Sequence, residues 1–456
     1  MRILIILLLM ALSAGQCFAQ LDQLSEDVKK IFYHALTTEQ SYHWLRSLCK
    51  DVGPRLAGSP GDLKAVEWSS TLMRDLGFDT VHILPVTVRH WERGKEKAVL
   101  KVDGKKIPLA VTALGGSVST GSRPLKAQVI EVRDFDQLEA LGEQIKGKIV
   151  FFNYRMRKDF ISTGSGYGDA VKYRWSGAAE ASKFGAVAVL IRSVTTRADD
   201  HPHTGILTYQ DAPVKIPAGA LSYQAAERLE QILKKQPNTI LELTLETFER
   251  DPKTSYNVVG ELFGSTYQDK VLLAGGHLDS WDLGEGAHDD GAGVVHSIAA
   301  AAYLKQLGIQ PRHTIRVVLF ANEEFGLDGA KKYAQWVKES DTKKILLAVE
   351  SDGGGFSPRG FTLDAPDSIV QKVREYRELF YPYGIYEIGK GGSGADVNQL
   401  KFTGAILAGL RVDGHRYFDL HHTIRDVFEE VNPRELEMGS AAMAAFLLIF
   451  DRLIFN

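Results

Sequence analysis

The segment at positions 271–293, VLLAGGHLDSWDLGEGAHDDGAG, constrains the fold more than any other part of the sequence. It begins with four consecutive apolar residues, which favour a strand that is buried on both faces of a sheet. Two glycines follow, then a dense group of histidines and acids, and then an alanine- and valine-rich run that favours a helix. Open α/β sheets place their sites where parallel strands end. The segment therefore predicts either a functional site at a sheet edge or a solvated acidic loop.

Three later stretches repeat this pattern of an apolar run or glycine-rich region followed by acids or histidines. They contain Glu323–Glu324, Glu350–Asp352 and His421–His422. Singly, each has an ordinary explanation, because acid pairs often lie at helix N-termini and Asp-Gly often forms a turn. Together they place four clusters at the ends of strands of one predicted sheet or in nearby loops. Histidine and carboxylate ligands without cysteine suit zinc, so the pattern indicates a hydrolytic zinc site.

The N-terminus predicts a signal peptide covering residues 1–19. Arg2 supplies a positive charge, residues 3–12 are apolar, and Cys17-Phe18-Ala19 matches a small-x-small cleavage site. The apolar run is too short to span a bilayer. We therefore expect cleavage after Ala19, a secreted or periplasmic protein, and no membrane association once the signal is removed. Cys49 would then be the only cysteine, which excludes an intramolecular disulfide.

The length of 456 residues predicts two or more domains. Strands alternating with helices from residue 251 onward predict an α/β fold, with a mostly parallel mixed sheet sandwiched by helices. Residues 20–94 are expected to complete this domain, and residues 95–250, with many short β-like runs, to form an inserted β-rich module. Within the insert, His201 and His203 flank Pro202, which predicts a surface or rim position. A net charge of −3 and the lack of a basic patch argue against nucleic-acid binding.

The motifs resemble those of the co-catalytic di-zinc aminopeptidase and glutamate carboxypeptidase family. They are VGPRLAGS at 52–59, WERG at 91–94, the segment at 275–293, ANEEFG at 321–326, ESDGG at 350–354 and HHT at 421–423. The resemblance extends over nearly the whole chain after residue 19. It implies a zinc exopeptidase fold, and the insert resembles a protease-associated domain.

The resemblance also implies roles for individual residues. Two zinc ions per chain would be held by His277 and Asp352 on one side, by Glu324 and His422 on the other, and by a bridging Asp289. Glu323 would act as the general base, and Asp279 would orient or polarise the His277 imidazole. His422 is preferred to His421 because Asp426 follows it by four residues, and the same alignment favours Asp289 over Asp290.

The substrate side of the site is less constrained by the sequence. Ser393 and Asp396 lie in a glycine-rich stretch that favours either a loop lining the cleft or a plain surface turn. Tyr417 has either a structural role or that of hydrogen-bond donor to the developing oxyanion. A free substrate carboxylate could be held by Arg411, Arg416 or Arg425. The family suggests a homodimer, and a short peptide as the substrate.

We expect a zinc-dependent exopeptidase or dipeptidase acting on dipeptides or short peptides with free termini. A broad-specificity di-zinc aminopeptidase is the nearest alternative, and it would need only the free amino end. A glutaminyl-cyclase-like transferase would use one zinc ion. A binding protein on an inactive peptidase scaffold would have lost ligands, whereas the set here is complete.

Overall fold

The computed structural model describes the backbone of residues 2–455 and the side chains of residues 20–455, so the predicted signal segment lies outside the described side chains. The helices are α1 Arg2–Thr38, α2 Gln40–Ser47, α3 Pro60–Asp75, α4 Phe135–Leu141, α5 Thr163–Ser182, α6 Tyr223–Lys235, α7 Ala292–Gln306, α8 Asp328–Glu339, α9 Asp367–Arg374, α10 Tyr417–Leu420 and α11 Pro433–Ile449. The strands are β1 Thr80–Val102, β2 Lys105–Leu109, β3 Val111–Ala113, β4 Leu125–Val132, β5 Ile149–Phe152, β6 Ala188–Arg192, β7 Ala218–Leu221, β8 Ile240–Leu262, β9 Tyr267–His277, β10 His313–Phe320, β11 Lys344–Glu350, β12 Pro358–Asp364, β13 Glu387–Lys390 and β14 Ile406–Val412.

The main sheet has the strand order β13-β12-β14-β11-β9-β10-β8, and β1 pairs with β8. Its four central strands, β14, β11, β9 and β10, run parallel to one another, whereas β8 and β12 are antiparallel to their central neighbours. Every residue of β10 is buried, as expected for a strand covered on both faces. The predicted α/β fold with a mostly parallel mixed sheet is therefore confirmed.

Helices cover both faces of this sheet. On one face, α1, α7 and α11 share a core with β9 and β10, in which Ile298 and Phe446 are fully buried. On the other face, Tyr333 of α8 packs with Val318 of β10. Residues 292–304 of α7 are all buried, which explains why its sequence is apolar on every side. No helix within the described part of the chain is long and apolar enough to cross a membrane.

Two long strands connect the main sheet to a second layer of structure. β1 and β8 pair antiparallel from Thr80↔Glu261 to Lys101↔Ile240, and β8 then leads through β4, β5, β6 and β7 to β3. The predicted module at 95–250 includes parts of these two strands. From here on, the insert means residues 103–239, which lie between β1 and β8. The predicted domain junction at residues 94–95 falls within β1, where its pairing with β8 is irregular between Arg93 and Glu96.

The insert contains helices as well as strands, namely α4, α5 and α6. In the insert the residue pattern predicts helices over residues 178–184 and 224–235. The second corresponds to α6, whereas α5 begins earlier than the first, at Thr163. Residues 163–177 contain several glycines, which have a low helix propensity. Packing of α5 against β5 and β6, through buried residues such as Tyr173 and Ala178, stabilises the helix despite these glycines.

Candidate metal centre

The candidate site forms where the parallel strands of the main sheet end. β9 ends at His277, β10 ends shortly before Glu323–Glu324, and β11 ends shortly before Asp352. The chain after β14 passes through α10 to His421–His422. Because β9, β10, β11 and β14 are parallel, their carboxyl ends lie along one edge of the sheet. The four sequence clusters therefore converge in space.

Asp289 lies between two groups of potential ligands. Its Oδ1 is 3.2 Å from His277 Nε2, and its Oδ2 is 3.3 Å from His422 Nε2. His277 Nε2 is 3.7 Å from Asp352 Oδ1, and His422 Nε2 is 3.2 Å from Glu324 Oε2. We call these the His277 half-site (His277 and Asp352) and the His422 half-site (His422 and Glu324). Each includes one oxygen of Asp289.

The polar atoms of this site fit a pair of cations. Asp289 Oδ2 and Glu324 Oε1 are buried, and neither has a hydrogen-bond partner among the described residues. Burying carboxylate oxygens without partners is costly, so such groups normally bind a metal or a positively charged group. Imidazole nitrogens and carboxylate oxygens without thiolates are ligands that zinc accepts. The residues present therefore fit two zinc ions that share Asp289.

The histidine tautomers are also those that a metal requires. The Nδ1 of His277 lies 3.1 Å from the backbone carbonyl of Asp279, and the Nδ1 of His422 lies 3.2 Å from that of Thr204. Because a carbonyl can only accept, each Nδ1 carries the proton in these hydrogen bonds. Each Nε2 then has a lone pair for a metal, facing the carboxylates.

Two neighbours, Asp290 and His421, are close enough to these residues to be considered as ligands. The oxygens of Asp290, however, accept the backbone N–H groups of His277 and Gly293, both at 3.0 Å, so its carboxylate joins β9 to the start of α7. His421 Nε2 lies 3.6 Å from Asp289 Oδ2, and its ring stacks on that of His422. His422 lies closer to Asp289 and also contacts Glu324.

Asp279 connects the ends of two strands. Its Oδ1 lies 3.6 Å from His277 Nδ1 and accepts the backbone N–H of Glu323 at 3.0 Å. Its Oδ2 accepts the backbone N–H of Glu324 at 3.3 Å. The side chain is buried. Asp279 is therefore placed to orient His277 and also holds the turn that carries both glutamates.

Glu323 lies beside the half-sites and is partly exposed to solvent. Loss of part of its water contact raises the pKa of Glu323 above its usual range, and the negative charges of Glu324 and Asp352 add to this effect. Burial likewise raises the pKa of Tyr417, so this hydroxyl stays protonated near neutral pH and can donate a hydrogen bond. The Tyr417 ring lies 5.0 Å from that of His421, beside the His422 half-site.

The predicted substrate-contacting residues Ser393 and Asp396 are both buried. Neither carboxylate oxygen of Asp396 has a hydrogen-bond partner among the described residues. Burial raises the pKa of Asp396, with further contributions from the negative charges of Glu350 and Glu323. Asp396 is therefore an unpaired acid close to the metal centre.

Two of the arginines considered for a substrate carboxylate have acidic partners. Arg416 Nη2 lies 2.8 Å from Glu435 Oε2, and Arg425 forms a short ion pair with Glu430. The surface or rim position predicted for His203 is wrong, because this side chain is 3% exposed. Its Nδ1 donates to the backbone carbonyl of His421 at 2.8 Å, so it lies behind the metal centre rather than on a rim.

Several residues that support the site were not assigned roles from the sequence. Trp281 Nε1–H donates to Glu324 Oε2 at 2.6 Å, and the carboxylate of Asp426 accepts the backbone N–H of Asp289 at 3.0 Å. Arg55, from the VGPRLAGS motif, is fully buried and donates to three backbone carbonyls around the metal-site loop, those of Leu278, Glu285 and Gly286. Arg55 and Trp281 both lie in family motifs, but the motifs do not show which atoms these two side chains contact.

Comparisons with known proteins agree with this geometry. The model of Peptidase family M28 matches residues 257–447. Carboxypeptidase Q of Bos taurus is 34% identical over 426 residues, which cover 93% of this chain and 88% of the relative. Carboxypeptidase Q of Homo sapiens is 35% identical over 405 residues, with coverages of 89% and 84%.

Solved structures give the same result. The peptidase M28 precursor from Shewanella amazonensis SB2B superposes with a TM-score of 0.90 at 37% identity and covers 94% of this chain and 97% of its own. The zinc aminopeptidase of Bacillus subtilis has a TM-score of 0.64 at 22% identity, with coverages of 89% and 93%, and shares the fold. The family inferred from the motifs is confirmed. This chain belongs to peptidase family M28 and is a metallopeptidase.

Proposed function

We propose that the protein is a di-zinc exopeptidase that hydrolyses dipeptides or short peptides with free termini. The observation that carries the proposal is the position of Asp289, whose two oxygens face His277 and His422 separately. A bridging carboxylate is the feature that holds two metal ions together in co-catalytic sites. The relatives named Carboxypeptidase Q support a peptidase that acts at chain ends.

In this proposal each of two zinc ions would be held by a histidine, a terminal carboxylate and the shared Asp289. His277, Asp352 and Asp289 would hold one ion, and His422, Glu324 and Asp289 the other. Asp279 positions His277 and the turn that follows β10. The remaining acid, Glu323, is not needed as a ligand and is free to exchange protons.

When bound, a zinc pair supplies Lewis-acid polarisation of a peptide carbonyl and lowers the pKa of water. Glu323 accepts the proton of the attacking water and returns it to the leaving amine, because it is the uncommitted carboxylate beside the half-sites. Tyr417 donates a hydrogen bond to the oxygen on which negative charge develops. The free amino group of the substrate would supply the partner that both oxygens of Asp396 lack, with Ser393 lining the same side.

The decisive experiment combines metal analysis with a panel of small substrates. We expect two zinc ions per chain and hydrolysis of a free dipeptide, with kcat/KM lowered about 100-fold or more by N-acetylation or by C-terminal amidation, since each block removes a charge that the site would bind. Equal cleavage of the amide would indicate a broad aminopeptidase instead. One zinc ion with cyclisation of N-terminal glutamine would indicate a transferase, and two zinc ions without hydrolysis a binding protein.

We further propose export of the chain, with residues 1–19 removed after Ala19, so that the mature protein is secreted or periplasmic. The domain division at residues 20–94, 95–250 and 251–456, with a protease-associated insert, and assembly as a homodimer belong to the same proposal. N-terminal sequencing of the mature protein tests the cleavage after Ala19, and sedimentation at several concentrations tests the homodimer. An intact N-terminus or a monomer at all concentrations would refute the corresponding part.

A further inference from the structure

The insert contacts the His422 half-site through a short group of hydrogen bonds. The backbone N–H of Thr204 donates to the carbonyl of His422 at 3.0 Å, and the Nδ1–H of His422 donates to the carbonyl of Thr204 at 3.2 Å. Beside this pair, His203 Nδ1–H donates to the carbonyl of His421 at 2.8 Å. Three hydrogen bonds therefore join residues 203–204 of the insert to residues 421–422.

The backbone of His422 has an unfavourable conformation. Its φ angle is +63°, in the left-handed region that residues other than glycine seldom adopt. Such conformations persist where the surrounding structure determines them. The carbonyl groups on both sides of this φ angle, those of His421 and His422, accept hydrogen bonds from the insert. The insert thus stabilises both the backbone of His422 and the orientation of its ring.

Thr204 is itself held in place from two directions. Its Oγ1 donates to the carbonyl of Ala113 at 2.9 Å, within the insert, and accepts from Arg93 Nη2 at 3.2 Å. Arg93, in the WERG motif, also forms two contacts with Asp282 of the metal-site loop, at 2.8 and 3.0 Å. Thr204 is therefore a fixed point relative to both the insert and the main sheet.

Close packing at Gly205 allows this arrangement. Gly205 has a φ angle of +135°, and a Cβ atom there would lie 2.4 Å from Arg174 Nη1. Arg174 is buried and lies 3.5 Å from His422 Nδ1. Its Nη1 donates to Tyr167 Oη at 2.6 Å, and the Thr204 carbonyl is the nearer partner of His422 Nδ1. The loop at 203–205 therefore reaches the metal centre because residue 205 has no side chain.

We infer that the insert, through His203 and Thr204, positions His422 for metal binding, so that docking of the insert and zinc binding to the His422 half-site stabilise each other. The inference rests on the ligand role proposed for His422. His203 and Thr204 are positioning residues, since their side chains bond to His421, Ala113 and Arg93 and not to a proposed ligand. Coupling of this kind is reciprocal, so removing the metal must weaken the contact and weakening the contact must weaken metal affinity.

The first test measures zinc affinity on the full chain by competition with a chelator. In His203→Ala we expect one of the two zinc ions to bind about 10- to 100-fold more weakly. This is the range typical when a hydrogen bond that orients a metal ligand is lost, and His203 acts on His422 through the carbonyl of His421. The other ion should keep its affinity. His203→Asn should restore most of the loss, because an asparagine amide can place a donor near the position of Nδ1. His201→Ala is the matched control on the same loop, and it should bind both ions as the wild type does.

A parallel variant separates this inference from the proposed function. If His422→Ala keeps both zinc affinities, the ligand assignment fails, and the proposed function fails with it. If His422→Ala loses one ion but His203→Ala binds both ions normally, the ligand assignment stands and the positioning role is refuted.

A second test needs no variant and therefore does not depend on the folding of one. Amide hydrogen exchange is measured in the zinc-loaded protein and after chelation. We expect the Thr204 amide, which donates to His422, to exchange at least about tenfold faster without zinc. The Leu207 amide, which donates to Gly115 inside the insert at 3.1 Å, should change much less. An equal response of the two amides, or no response at Thr204, would overturn the coupling.

Discussion

The carboxylate of Asp279 accepts the backbone N–H of Glu323 at 3.0 Å, which joins the loop after β9 to the turn after β10. Through its other oxygen it also accepts the N–H of Glu324. One buried acid thus fixes the proposed base and a proposed ligand relative to each other. The main-chain carbonyl of the same residue accepts the Nδ1–H of His277.

Replacement of Asp279 by Asn should therefore affect both metal affinity and turnover. Asn supplies only one acceptor oxygen, so an amide N–H would face the backbone N–H of Glu323 or Glu324. We expect kcat to fall about 10- to 100-fold, with a comparable loss of zinc affinity, as for other partners of metal ligands. Steady-state kinetics and metal titration check this. Asp269→Asn, at an exposed acid in β9, the strand that precedes the Asp279 loop, is the control and should leave both quantities unchanged.

Glu323→Gln should separate proton transfer from metal binding. The amide cannot accept the proton of the attacking water, so kcat should fall about 10²- to 10⁴-fold while two zinc ions remain bound. Glu324→Gln should instead reduce the zinc content, because Glu324 contacts His422 in the His422 half-site. Metal analysis and kcat on the same samples distinguish the two effects. A zinc-loaded Glu323→Gln enzyme with normal kcat would remove Glu323 as the base.

The parts of the fold that follow from local composition were predictable from the sequence. β9, β10 and β11 each contain a continuous apolar run, as expected for strands covered on both faces, and the polar residues that follow them mark the sheet edge. β12 and β13 were not predicted. Both lie at the end of the sheet beyond β14, and their sequences, PRGFTLD and EIGK, lack a continuous apolar run.

The support of the metal centre was much less predictable, for a physical reason. The Arg55 guanidinium donates to backbone carbonyl groups, and Thr204 supplies its own backbone carbonyl to His422. Every residue has a backbone carbonyl, so no residue pattern marks these contacts. Thr204 and His422 are 218 positions apart in the chain. Only the pairing of β1 with β8 and the course of the insert bring them together. The same limit applies to the choice between neighbouring residues. Only hydrogen bonds and distances in the structure distinguish Asp290 from Asp289, and His421 from His422, as ligands.

Arg55→Met should destabilise the fold through unsatisfied carbonyl groups. The guanidinium donates to Leu278, Glu285 and Gly286 in a fully buried position, and methionine cannot replace these hydrogen bonds. We expect the free energy of unfolding to fall by about 3 kcal/mol or more, since each buried unsatisfied polar group costs about 1–3 kcal/mol. Denaturant unfolding of the metal-free protein measures this. Arg46→Met, at an exposed position in α2, should change the stability by less than about 0.5 kcal/mol.

Glu437 should make the stability of the protein depend on pH far from the metal centre. It is buried in α11, where its carboxylate accepts the hydroxyl of Tyr303 at 2.6 Å and the backbone N–H of Tyr42 at 2.9 Å. Burial raises the pKa of Glu437 from 4.5 to about 7, and the hydrogen bonds offset only part of the increase. Between these two values the folded state holds a proton that the unfolded state has released, so this group lowers the free energy of unfolding as the pH rises.

Glu437→Gln should remove this dependence, because glutamine stays neutral at every pH and approximates the protonated acid. Between pH 4.5 and pH 8, the variant should gain stability relative to the wild type by on the order of 1–3 kcal/mol. Denaturant unfolding of both proteins in the presence of a chelator, at several pH values across this window, measures the difference while other titrating groups cancel. A difference that stays constant across the window would show that Glu437 does not release its proton between these pH values. It would then not contribute to the pH dependence of stability.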